Sequence, residues 1–182
     1  MRFKLLSLLT VVLLVGCATQ RMPFPEDKYA SLGLDGDKTV KGRIFLIDHL
    51  EEKQIGSGVD VSLEPFTAYC NQWYDVVYIN GGKLDEPDPG YYKYVKRTKA
   101  DENGNFTFEN VAAGEYLLNA TMKWEAVTCS IKKVKTPVMI CKKIAIADDD
   151  KIVNVELTKD YKSPTVVCDL YNQGDWEDEY GL

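Results

Sequence analysis

Apolar residues recur at every second position through much of this chain, a period that suits half-buried β-strands and little else. Val59, Val61 and Leu63 alternate with Asp60, Ser62 and Glu64, and Phe106 and Phe108 alternate with Asn105, Thr107 and Glu109. Tyr116, Leu118, Ala120, Met122 and Trp124 line one face of a longer strand, opposite Asn119, Thr121 and Lys123; Val153, Val155 and Leu157 repeat the pattern near the end. Turn-forming clusters separate these runs: Gly56-Ser57-Gly58, Asp101-Glu102-Asn103-Gly104, Ala113-Gly114 and Asp148-Asp149-Asp150. Asn-Gly is a strong hairpin cue, because both residues tolerate the positive φ of a type I′ turn. No amphipathic helix stands out beyond the first residues. The expectation is an all-β fold, an antiparallel β-sandwich of about seven strands.

The chain opens differently. Arg2 and Lys4 precede an apolar run from Leu5 to Val15, the layout of a secretory signal peptide over residues 1–16. The run is too short for a transmembrane helix, which needs about 20 apolar residues. Leu14-Val15-Gly16-Cys17 resembles the bacterial lipobox, which implies cleavage before Cys17 and lipidation of that cysteine. Several acyl chains give stable anchoring where one gives only marginal binding. Ala18 and Thr19 follow, with no aspartate beside the cysteine, and by the same resemblance this implies sorting to the bacterial outer membrane. Residues 17–37 carry Pro23, Pro25, Gly33 and Gly36 among charges without periodicity, and read as a flexible tether. The sandwich is expected over 38–160 and an acidic tail over 161–182.

Removing Arg2 and Lys4 from 22 basic residues leaves 20 against 28 acidic ones, a formal charge of −8. That balance argues against nucleic acid as a partner, since phosphate binding needs a basic surface. Four cysteines remain after Cys17: Cys70, Cys129, Cys141 and Cys168. In an exported protein an even count reads as two disulfides. There is no C-x-x-C pair and His49 is the single histidine, so no metal site is expected. Three pairings are open. Cys129–Cys141 with Cys70–Cys168 is favoured, because Cys129 and Cys141 lie symmetrically about a turn expected near Lys135-Thr136-Pro137.

Residues 65–90 break the alternation with Tyr69, Trp73, Tyr74, Tyr78, two glycines and Pro87-Asp88-Pro89. One further strand is expected around Asp75–Ile79, followed by a long excursion, and long loops in compact domains are often functional.

From Thr98 to Tyr116 the sequence, with Asp101-Glu102-Asn103-Gly104, Phe106, Phe108 and Gly114, resembles the carboxypeptidase regulatory-like domains. Val40-Lys41-Gly42-Arg43-Ile44 and Gly58-Val59-Asp60-Val61 match that family's opening strands, so the likeness covers roughly residues 38–158. It implies a transthyretin-like sandwich and a structural, binding or accessory role, and fold does not fix function. The segment 65–90 and the extension from Val127 to Cys141 depart from the family pattern, and a specific role would sit there.

Candidate chemistry is sparse. His49 stands alone beside Asp48, Glu51 and Glu52 and reads as a solvated turn residue, and a transthyretin-like hydrolase set would need several histidines. Asp101, Asn103 and Asp148 to Asp150 offer oxygen ligands but no EF-hand pattern, and read as acidic turns. Lys41 with Asn154 is the pair that a self-cross-linking sandwich would use, although alternation turns Asn154 outward. Tyr69, Trp73, Tyr74, Tyr78, Tyr91, Tyr92 and Tyr94 offer either an exposed binding platform or core and sheet packing, with Tyr78, Tyr92 and Tyr94 as ordinary sheet residues, and packing is the favoured reading. Asp169 to Leu182 hold five acids and no base with Tyr171, Trp176 and Tyr180, which makes either a solvated tail or a docking peptide. The candidate binding residues are Tyr69, Trp73, Tyr74, Trp176 and Tyr180. No catalytic set and no cofactor site emerges. The expected function is a non-enzymatic outer-membrane lipoprotein with an envelope protein partner, an accessory subunit of an envelope or secretion assembly. The alternative is a glycan- or peptidoglycan-binding module.

Overall fold

The structure is a computed structural model describing residues 19–47, 51–127 and 133–160. Cys17, His49, Cys129, Cys168, Trp176 and Tyr180 lie outside the described residues.

Two β-sheets pack face to face, an all-β sandwich as the alternation predicts. Eight strands occur among the described residues: β1 Lys38–Ile47, β2 Lys53–Ile55, β3 Asp60–Pro65, β4 Lys96–Lys99, β5 Asn105–Val111, β6 Gly114–Val127, β7 Lys133–Ile146 and β8 Ile152–Asp160. The first sheet is built around β1, with β2 and β5 on one side and β8 on the other; the second runs β4-β3-β6-β7. All pairings are antiparallel except that of β1 with β8, which run parallel from Thr39 opposite Ile152 to Ile47 opposite Asp160. Two of the edge strands are short and carry lysines, β2 with Lys53 and β4 with Lys96 and Lys99, which discourages strand addition from other chains there.

The core forms where the period-2 faces meet. Val40, Ile44, Leu46, Phe106, Phe108, Val155 and Leu157 from the first sheet meet Val61, Leu63, Tyr116, Leu118, Ala120, Met122 and Ile140 from the second. Burial of such a side chain contributes about 1.5–3 kcal/mol. The Phe106 ring lies over Gly42, its cross-strand partner, so closely that a Cβ there would sit 2.2 Å from the ring.

Five expectations need correction. The turn at Asp101–Gly104 is present, yet only Gly104 takes a positive φ, +78°, so it is not type I′. The Asp101 carboxylate accepts from the backbone N–H of Asn103 and Asn105, both at 2.8 Å. This local bonding holds Asn103 out of the left-handed region, and the turn carries the chain from β4 in one sheet to β5 in the other. No turn occurs at Lys135–Pro137: β7 runs through it, Val127 pairs with Lys133, and Cys141 faces Asn119. Asp75–Ile79 is helical. Helix α2, Ala68–Trp73, continues into a π-helical turn, Tyr74–Ile79, so a helix does occur in the domain. Residues 19–37 are not a free tether, since they form helix α1, Glu26–Ala30, and bury Tyr29 to 1% exposure. Finally, Tyr78, Tyr92 and Tyr94 are not sheet residues; Tyr92 and Tyr94 belong to a 3-10 helix, Pro89–Tyr94.

Candidate functional site

The excursion from Phe66 to Val95 folds back over the outer face of the second sheet. Thr67 starts it by capping α2, its hydroxyl accepting from the Cys70 N–H at 3.4 Å. Cys70, Trp73, Tyr74, Val77 and Tyr78 then follow at helical spacing, which gives α2 and its π-helical turn one apolar side. Beneath it, Leu117, the register partner of Glu64 and Lys143 on the outer face of the sheet, is fully buried although it stands outside the sandwich core. Tyr74 packs on Phe66 and Tyr78, and the Lys143 ammonium of β7 lies 4.0 Å from the Tyr74 ring centre and 4.2 Å from that of Phe66. Beyond the helix the N–H groups of Gly81 and Gly82 return to the carbonyls of Val77 and Val76, closing its end.

A second, aromatic core fixes the base of the excursion. Tyr29, Tyr69 and Tyr91 are buried and pack with Phe24 at ring-centre separations of 5.0 to 6.3 Å. Such pairs contribute about 0.5–1.5 kcal/mol each beyond area burial. Their hydroxyls are all satisfied: Tyr29 with Thr67 at 2.6 Å, Tyr69 accepting from the Asp88 N–H at 2.9 Å, and Tyr91 donating to Glu64 at 2.6 Å. Burial pushes the Tyr29 phenol up to about 12, and burial together with the neighbouring Glu64 charge raises Tyr91 above its usual value. The N-terminal segment is stitched on top. Gln72 accepts from the Met22 N–H and donates to the Gln20 carbonyl, while Thr19 exchanges backbone bonds with Lys83 and Asp85.

Between the sheet and this superstructure lies a cleft of about 830 Å³. Its floor is the polar outer face of β3 and β6, with Asp60, Ser62, Glu64, Asn119 and Thr121. Trp73 and Val77 form the helical wall, residues 82–87 the rim, and Tyr92 and Arg97 the far side, with Arg21 also lining it. Glu64 is held in place: one carboxylate oxygen accepts from Ser62 and the other from Tyr91. The Arg97 guanidinium sits 5.6 Å from the Tyr92 ring centre, and Tyr92 is 46% exposed. Arg21 lies over Tyr69 and donates to the Asp85 carbonyl. The cleft thus combines partly exposed rings with planar hydrogen-bonding groups.

The sequence-derived candidates separate here. Trp73 lines the cleft, whereas Tyr69 is 1% exposed and belongs to the aromatic core, and Tyr74 is occupied by Phe66 and Lys143. Trp176 and Tyr180 lie outside the described residues. Sequence reasoning missed Glu64, Asn119 and Arg97; the polar positions of alternating strands flanking an aromatic excursion were the available signal. Lys41 and Asn154 are register partners on β1 and β8, and both are exposed. Asp101 spends its carboxylate within its own turn, and Asp150 accepts from the Ala147 N–H. Among the described residues no three acidic, cysteine or histidine side chains gather as a metal site.

No family model matches the chain, and no curated protein matches it by sequence. Among solved structures it is similar to a Pseudomonas aeruginosa protein put forward as a carbohydrate binding protein, at 24% identity and a TM-score of 0.65, over 75% of this chain and 97% of that one. It also overlaps the major pilin subunit of Bacillus cereus at 17% identity and a TM-score of 0.38, over 69% of this chain and 30% of the pilin. The minor pilin of Streptococcus agalactiae overlaps at 13% identity and a TM-score of 0.36, over 70% of this chain and 46% of the pilin. The first likeness shows a shared fold.

Proposed function

We propose that this protein is a lipid-anchored envelope protein that binds glycan chains in the cleft beside Trp73, without a catalytic step of its own. The cleft carries the reading. Sugar rings present C–H faces that pack on aromatic rings, and hydroxyls that exchange hydrogen bonds with planar polar groups. Trp73 and Tyr92 supply the first kind of surface and Asp60, Asn119, Thr121 and Arg97 the second, in a concave site with an apolar side and a few oriented polar groups. The reading agrees with the role put forward for the Pseudomonas aeruginosa protein of the same fold. The anchor rests on Cys17 at the end of the lipobox-like Leu14-Val15-Gly16-Cys17. A Cys17→Ser variant is expected to lose acyl labelling and to leave the membrane fraction.

The test is retention of the purified protein on peptidoglycan and on outer-membrane polysaccharide. Truncation of a binding hot spot costs 2 kcal/mol or more, so Trp73→Ala is expected to weaken retention about 30-fold. Retention by neither glycan, with envelope proteins recovered instead after in-cell cross-linking, would replace this reading with the accessory-subunit role. Equal retention of Trp73→Ala would remove the cleft as the site.

A further inference from the structure

We propose that Cys70 and Cys141 are joined by a disulfide that fastens the helical wall of the cleft to the sheet beneath it. Cys70 lies in the first turn of α2, is 2% exposed, and is fixed in direction by the Thr67 cap. Cys141 lies on β7, on the outer face: its neighbours Val138, Ile140 and Ile146 fill the core, while Lys143, two residues on, reaches the rings of Phe66 and Tyr74. The helix therefore crosses β7 at this point. Tyr78, two turns after Cys70, touches the Cys141 backbone. Both cysteines are free thiols in the structure, Cys141 donating to the Asn119 side-chain oxygen at 3.6 Å, and the Glu64 charge acts on both thiols while Cys70 acts on Cys141.

Cys141 has Asn119 of β6 as its register partner, and Cys129 and Cys168, the partners that the sequence favoured for Cys141 and Cys70, lie outside the described residues.

Burial pushes both thiols above their usual range, and the thiolate is the form that attacks a disulfide, so oxidation slows once both are buried. Both thiol protons are lost, the two sulfurs join, and two electrons pass to a disulfide oxidant, a protein disulfide of the exported compartment or glutathione disulfide in vitro, which becomes a dithiol.

Peptide mapping tests this directly and independently of any glycan. The full chain, expressed with export, is alkylated without reduction, digested and analysed by mass spectrometry. The expected product joins the Cys70 peptide to the Cys141 peptide, with neither thiol alkylated. Either cysteine joined to Cys129 or Cys168, or found alkylated, overturns the proposal.

Discussion

Leu117 and Leu118 are adjacent in β6, and both are fully buried, yet they face opposite ways. Leu118 belongs to the sandwich core, whereas Leu117 is buried only because the excursion covers the outer face of the sheet. Leu117→Ala therefore measures how firmly the cleft's helical wall is docked. The substitution removes three carbons, about 0.8 kcal/mol each, or about 2.4 kcal/mol in transfer alone. A residual cavity adds to this, which brings the loss to about 3–4 kcal/mol, within the range for buried leucines. With a urea m-value of about 2 kcal/mol/M, the unfolding midpoint should fall by about 1.5–2 M. Equilibrium unfolding would be followed by far-UV circular dichroism and by tryptophan fluorescence, since Trp73 sits on the docked segment, with Leu118→Ala as the comparison. A Leu117→Ala midpoint within about 0.3 M of wild type, beside a large loss for Leu118→Ala, would refute the docked arrangement.

Two further outcomes can be checked with the same equipment. Gly42→Ala places a methyl against the Phe106 ring and should destabilise by about 1–3 kcal/mol in urea unfolding, because the ring has to leave its packed position in the core. Tyr29 and Tyr91 ionise above their ordinary values, so the folded state favours the neutral phenols. That contribution is complete below pH ~10 and is lost as pH rises toward the folded values. Melting temperatures should fall from pH ~10 upward, less steeply in Tyr91→Phe, and an identical alkaline slope in that variant would contradict the burial argument.

The strands were legible because a half-buried strand writes its two faces into alternate residues, as Phe106 and Phe108 do against Asn105 and Thr107. The excursion was not, for a local reason. Asp75-Val76-Val77-Tyr78-Ile79 is rich in β-branched and aromatic residues that favour strands, and the helix prevails there because its apolar side has the outer face of β6 and β7 to pack on. Thr67 as a cap, with Cys70, Tyr74 and Tyr78 at intervals of four, was the signal available. Leu117 illustrates a second limit: it occupies the polar side of an alternating strand, and only tertiary cover explains it. Tyr29 was hidden in the same way, among prolines and charges that describe a linker when read alone. Of the cleft, Trp73 and Tyr92 drew attention as aromatics, while Glu64 and Asn119 looked like ordinary solvent-facing strand residues until the helix closed over them. The parallel pairing of β1 with β8 leaves no mark in either segment, since it joins residues more than a hundred positions apart.

That parallel pairing governs how the molecule would respond to tension. The chain enters the ladder at Thr39 and leaves it at Asp160, at opposite ends of nine register pairs that extend over about 26 Å. Pulling the two ends of this segment apart drags β1 and β8 past each other along their length, so the rungs bear the load together. Antiparallel first and last strands would place entry and exit at the same end and open rung by rung. A protein held at one end of its chain and loaded through the other is therefore stiff in the direction in which it would be stretched.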